Sequence, residues 1–112
     1  MKLVKNGQGV EYEAKGHTLC YVMNKLVIGK DTRKMNLGLS HFLPNGGAEM
    51  SAAPVERAYY VMSGSIKVTG KKSENFNMGP GDVVYIGPGE EREFKVLGSE
   101  PATILVMVTA VE

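Results

Sequence analysis

Glycine punctuates this chain. Fourteen of its 112 residues are glycine, against a usual ~7%, and they are scattered rather than gathered into a linker. Between them lie short runs rich in Val, Ile, Thr and Tyr, residue types that suit a pleated, half-buried surface. Such runs, bounded by Gly, Pro and Asn, read as strands. The predicted strands are residues 9–14, 18–23, 25–28, 35–43, 57–62, 65–69, 75–78, 82–86, 92–96 and 102–111. Breaks are expected at Gly16, Gly29, Asn45-Gly46-Gly47, Ser63-Gly64, Gly79-Pro80-Gly81, Gly87-Pro88-Gly89 and Gly98. No window of about eleven residues keeps a helical period of 3.6. Many short strands at about 8–12-residue spacing predict an all-β sandwich or barrel.

The length fits a single domain, residues 1–112, able to bury roughly two thirds of its unfolded surface. Hydrophobic residues make up 43% and charged residues 22%, a balance that argues against intrinsic disorder. Thirteen Lys and Arg against twelve Asp and Glu leave a net charge of +1. That is no reserve of charge for a nucleic-acid backbone. Lys71-Lys72, the densest basic spot, reads as a solvated turn. The lone cysteine, Cys20, suits a reducing compartment and reads as a small buried apolar residue. The N-terminus lacks the apolar run of a signal peptide. The longest apolar stretch, residues 102–111, is about half the ~20 residues a membrane span needs. A soluble, cytoplasmic protein is expected, with neither nucleic acid nor membrane as partner.

Period-two alternation sorts side chains onto faces. Along residues 35–43 one face carries Leu37, Leu39, His41 and Leu43, the other Asn36, Gly38, Ser40 and Phe42. The leucine face is the expected core face, with His41 on it. Farther on, Arg57, Tyr59 and Val61 share a face opposite Ala58, Tyr60 and Met62, and alternation alone does not say which is interior.

Two stretches resemble the motifs of the cupin family, small jelly-roll barrels built as a double-stranded β-helix. The first family motif opens on Pro-Gly-Gly and continues through a His-x-His pair and a Glu to a Gly. This chain reads Pro44-Asn45-Gly46-Gly47, then Ser51, Ala53 and Arg57, and closes on Tyr59-Tyr60-Val61-Met62-Ser63-Gly64. The second motif runs from Gly through Pro-x-Gly to His. Here it is Gly81-Asp82-Val83-Val84-Tyr85-Ile86, then Gly87-Pro88-Gly89 and Arg92. The resemblance covers residues 35–96 and implies an all-β cupin barrel.

In most cupins the two histidines, the glutamate and the last histidine hold one divalent metal. Carried over by position, those places hold Ser51, Ala53, Arg57 and Arg92. Alanine has no donor atom and a guanidinium stays cationic, so no metal cofactor is expected. A shift of one residue offers Met50, Ala52 and Glu56, little better. The resemblance instead implies two arginines projecting into the barrel. Two cations there are costly unless paired, and an arginine fork suits a carboxylate or phosphate. Ser51 is small and leaves room beside them. Two alternatives stand open on sequence. Glu49, Glu56, Glu90, Glu91 or Glu93 could pair with the arginines in an ordinary ion-pair network, and a one-residue slip would turn them outward.

The other groups expected near such a pocket are His41, Tyr59, Tyr85 and Phe94. His41 is the expected acid/base, since its ordinary pKa lies near neutrality. Tyr59, two residues after Arg57, would orient the substrate, and Phe94, two after Arg92, would form wall. His17, beside Gly16, is expected to face solvent. The leading expectation is a metal-independent isomerase, lyase or decarboxylase acting on a small anionic substrate, with Arg57 and Arg92 as the clamp. A non-catalytic binding or sensing module is the alternative. A metal enzyme with unorthodox ligands such as His41 and Glu49 is the third. The resemblance also implies a homodimer, with the strand at 102–111 and the N-terminal segment as candidate contributors.

Overall fold

A computed structural model of the protein describes residues 1–111. Its nine strands are β1 (Val10–Tyr12), β2 (His17–Leu26), β3 (Met35–Ser51), β4 (Arg57–Ser63), β5 (Ile66–Gly70), β6 (Asn75–Met78), β7 (Val83–Ile86), β8 (Arg92–Val96) and β9 (Ala102–Thr109). All pair antiparallel, in the order β6-β5-β8-β3-β9-β4-β7, with β2 along β3 and β1 on β2. The sheet curls into a nearly closed jelly-roll barrel whose edges, β6 and β7, are joined by the turn at Gly79–Asp82. No helix among the described residues is long and apolar enough to cross a membrane.

One predicted break, and the gap left between two predicted strands at Asn24, are continuous strand. Residues 18–23 and 25–28 belong largely to one strand, β2, and β3 runs on through Asn45-Gly46-Gly47 to Ser51. These glycines serve a bend rather than a turn. The first half of β3 pairs with β9 and the second half with β8. Asn45 sits at the corner with φ 70°, and on the facing strand Leu19 takes φ 48° within a register shift. A side chain at Gly46 would press on the carbonyl oxygens of Leu43 and Thr18, each 2.9 Å from its Cβ. Bulges and small residues of this kind let a strand turn a barrel corner.

The face assignment on β3 is reversed. Phe42 and Ser40 are buried, as is Gly38, whereas His41 and Leu43 are exposed and Leu37 and Leu39 half-buried. The alternation is intact, but the outer face carries apolar rows of its own. Opposed residues share a face. One outer row is Met23, Leu39, Leu105, Tyr60 and Val83; the next is Leu26, Leu37, Met107, Ala58 and Tyr85. The richer apolar face therefore points outward, and the small or polar face lines the interior.

The core fills one end of the barrel. Val61 and Ile66 are 0% exposed and Ile104 1%, packed with Phe42, Val68, Met78, Phe94, Val96 and Ala102. Each large side chain buried this fully contributes about 1.5–3 kcal/mol. Cys20 packs against this core, and burial pushes its thiol up to about 11. The inward face of β9, Ala102 and Ile104, is core, while Leu105 and Met107 face out.

Gly64 closes the β4–β5 turn at φ 79°, and a Cβ there would lie 2.2 Å from the Pro101 carbonyl oxygen. Gly64→Ala meets both a disfavoured φ and a backbone clash. It is expected to lower unfolding free energy by at least about 2 kcal/mol in urea titration; a change below about 0.5 kcal/mol would contradict this packing.

Candidate functional site

The end of the barrel opposite the core is built from strand starts and ends. β4 begins there with Arg57, β8 begins there with Arg92, and β3 ends there with Ser51, directly paired to Arg92. From that mouth β4 runs inward as Arg57, Tyr59 and Val61, and β8 as Arg92, Phe94 and Val96, all buried. Polar residues thus stand at the rim of each strand and apolar ones at its foot.

Both arginines are 5% exposed. Arg57 Nη2 donates to the Glu90 carbonyl at 3.1 Å. Arg92 Nη1 donates to the Glu49 carbonyl at 3.2 Å and to Ser51 Oγ at 3.0 Å, and Nη2 lies 3.5 Å from the Tyr59 hydroxyl. The Arg92 guanidinium also sits over the rings of Phe94 and Tyr59, at 5.2 and 5.8 Å. Those rings meet edge-on with centroids 4.7 Å apart. Nε of each arginine is buried without a hydrogen-bond partner among the described residues.

No carboxylate pairs with either guanidinium among the described residues. The ion pairs there are Lys2–Asp31 and Lys71–Glu91. Two of the neighbouring glutamates are engaged elsewhere: Glu90 accepts from the Gly87 N–H at 2.7 Å, and Glu56 from the Tyr85 hydroxyl at 2.8 Å. The ion-pair network and the outward register, both open on sequence, do not occur. The arginine donors are met by neutral carbonyls and hydroxyls, which leave the charges uncompensated.

A cavity of about 380 Å³ opens on this pair. Ser51 and Ala53 border it beside the arginines, Tyr59 and Val106 form wall, and Asn24, Asn36 and Ser40 add neutral polar groups. Gly38 makes the space: a Cβ there would lie 2.8 Å from Asn24 Oδ1. A larger groove, about 700 Å³, runs outside the barrel past Arg33, Lys34 and Glu56. It holds neither buried arginine.

Arg57, Arg92, Ser51 and Tyr59 therefore come together as expected, with Phe94 as wall beneath Arg92. Two residues do not join them. His41 lies on the outer face, exposed, with Nδ1 3.1 Å from Thr103 Oγ1 and its ring beside Tyr21. It follows the leucine face of β3, and that face points outward. Tyr85 is 58% exposed on the same side, where its hydroxyl donates to Glu56 and is thereby pushed above its ordinary pKa.

Sequence reasoning missed His17. It opens β2, half-buried, on the rim of the arginine cavity. Its ring lies nearly parallel to Phe42, at 18° with centroids 6.0 Å apart, and Nδ1 lies 3.0 Å from the Lys15 carbonyl oxygen. Burial holds its pKa below the ordinary value; the Lys15 carbonyl works against this, Arg92 adds to it and Glu49 opposes it. Asn24, Asn36 and Ser40 were missed with it. The signal for them was a small, polar face on a long barrel strand, which marks a cavity rather than a solvent side.

The residues present do not fit a divalent metal. The four motif places hold a hydroxyl, a methyl and two buried cations, and the cations repel a metal. Among the described residues no three His, Cys, Asp or Glu side chains gather into a ligand set. His41 and Glu49 in particular do not share a cavity, since His41 is outside the barrel.

A family model described as "Cupin domain" matches residues 38–108. Among solved structures, the polyketide cyclase RemF from Streptomyces resistomycificus is 20% identical, with TM-score 0.85 over 97% of this chain and 79% of that one. A predicted oxalate decarboxylase from Thermotoga maritima is 13% identical, with TM-score 0.84 over 96% and 98%. KdgF from Halomonas sp. is 12% identical, with TM-score 0.79 over 98% and 94%. At these identities the likeness is one of fold. No curated protein matches the chain.

Proposed function

The chain belongs to the cupin family, and within it we propose that the barrel mouth binds a small carboxylated molecule on Arg57 and Arg92, without a metal. The observation that carries this is the pair of buried guanidiniums whose Nε–H groups have no partner, and whose charges meet no carboxylate, among the described residues. Desolvating one such ion costs several kcal/mol even after relaxation. A carboxylate between them supplies the missing charge and accepts the free donors, in the geometry a guanidinium fork favours. The cavity volume lies within the ~300–1,000 Å³ of small-molecule sites.

In this reading Ser51 and Tyr59 fix Arg92, and the Tyr59 hydroxyl keeps its own proton to offer to a ligand oxygen. Val106 and the Tyr59 ring exclude water. Asn24, Asn36 and Ser40 supply neutral hydrogen bonds to an oxygenated body. The proposed chemistry is that of an isomerase, lyase or decarboxylase, in which buried cations stabilise charge that develops on oxygen. Two proteins of similar fold carry enzyme names, polyketide cyclase and predicted oxalate decarboxylase, which supports an enzyme through the fold only. A non-catalytic binding or sensing protein is the second reading, favoured by the place of His41 outside the barrel. The proposed location is the cytoplasm, where the Cys20 thiol stays reduced.

Calorimetric titration with acetate, oxalate and succinate, each against its amide, tests the clamp. At least one acid is expected to bind about tenfold or more tighter than its amide, and Arg57→Ala or Arg92→Ala to lose about tenfold or more. Equal binding of acid and amide, or variants that bind like the wild type, would contradict it.

We further propose a homodimer that joins the outer face to its copy. The rows through Leu39, Leu105 and Tyr60 and through Leu37, Met107 and Ala58 carry no charge, and a two-fold axis matches such a face to itself. Sedimentation at micromolar concentration is expected to show a dimer, and Tyr60→Glu a monomer. A monomeric wild type would overturn the interface.

A further inference from the structure

His17 has a fixed orientation and one free nitrogen. The Lys15 carbonyl oxygen, 3.0 Å from Nδ1, can only accept a hydrogen bond. Nδ1 of the neutral ring therefore carries the proton, and the lone pair sits on Nε2. Nε2 makes no hydrogen bond among the described residues. The flanking Phe42 ring holds the imidazole in place. The ring borders the same cavity as Arg57, Tyr59 and Arg92.

Two charged groups bear on this ring, Arg92 on β8 and Glu49 on β3, and the neutral backbone carbonyl of Lys15, just before β2, faces its Nδ1. Burial and Arg92 favour the neutral imidazole and outweigh the Lys15 carbonyl and Glu49. At neutral pH the lone pair is therefore available. Of the two histidines in the chain, only His17 reaches the arginine cavity.

We propose that His17 is the catalytic base of this pocket, and that its substrate is a carboxylate bearing a carbonyl group close by. This rests on the arginine clamp and adds the reaction. One guanidinium holds the carboxylate and the other faces the carbonyl oxygen. The C–H bond beside the carbonyl breaks and its proton passes to His17 Nε2. The bonding pair forms a carbon–carbon double bond, and the carbonyl π pair moves onto oxygen, giving an enolate beside the guanidinium. The imidazolium then returns the proton to carbon, and the overall change is exchange or isomerisation with no further reactant.

Deuterium uptake from D₂O into 2-oxobutyrate and acetoacetate, followed by proton NMR with the full chain, tests this. The wild type is expected to exchange a bound probe at least about tenfold faster than buffer, and His17→Gln to lose about a hundredfold or more of the enzyme-dependent rate. Calorimetric affinity of His17→Gln for that probe should stay within about twofold of wild type, which separates a base from a binding residue. The rate should fall as pH drops and the imidazole protonates. His17→Asn and the unfolding midpoint of each variant guard against a folding defect. A probe that binds without exchange, or a folded His17 variant that exchanges at the wild-type rate, would overturn the base and leave the clamp standing. Failure of both probes to bind would overturn the oxo-acid substrate and the base with it, while the acid-against-amide titration decides the clamp separately.

Discussion

Two positive charges buried at one end of a β-barrel set the terms for this molecule. Arg57 and Arg92 lie on β4 and β8, strands separated in the sheet by β3 and β9. They face the same interior from different walls. Carbonyl oxygens of Glu49 and Glu90 satisfy some of their N–H groups. A carbonyl carries no net charge, however, and the repulsion between two guanidiniums in a low-dielectric interior stays. Natural proteins keep such an arrangement where it serves function rather than stability.

The rest of the barrel is arranged around that cost. Apolar side chains are concentrated at the far end, where Val61, Ile66 and Ile104 are sealed from water. The near end is deliberately thin. Gly38 has no side chain, Ser40 and Ser51 have short ones, and the cavity follows from them. A better-packed mouth would be more stable and would have no room for a ligand, the usual opposition between stability and function.

Much of this was legible in the sequence because it is local. β6 and β8 have the predicted bounds, and β4, β5 and β7 are shifted by a residue or two at most. The period of two placed Arg57 with Tyr59 and Arg92 with Phe94. What failed was anything that needed the third dimension. Leu37, Leu39 and Leu43 look like core to any alternation rule, yet the barrel turns them outward. His41 went with them, and the acid/base assignment fell for that reason alone. Tyr85 is paired with Ala58 on the outer surface, which its own strand could not disclose. His17 reaches the pocket only because β2 and β3 bend together near Leu19 and Asn45 and bring the start of β2 back toward Arg92. The bend depends on positive φ at Asn45, a residue type that favours it, and also at Leu19, which gives no sign of it in sequence.

The most direct measurement is urea unfolding of Arg57→Met/Arg92→Met against wild type in buffer free of small carboxylates. If the arginines are held for a ligand, the double variant will be at least as stable as the wild type, since apolar replacement of buried charge is often neutral or favourable by about 1–4 kcal/mol. A loss of several kcal/mol would mean that the arginines serve the fold, and would contradict the anion pocket at its root.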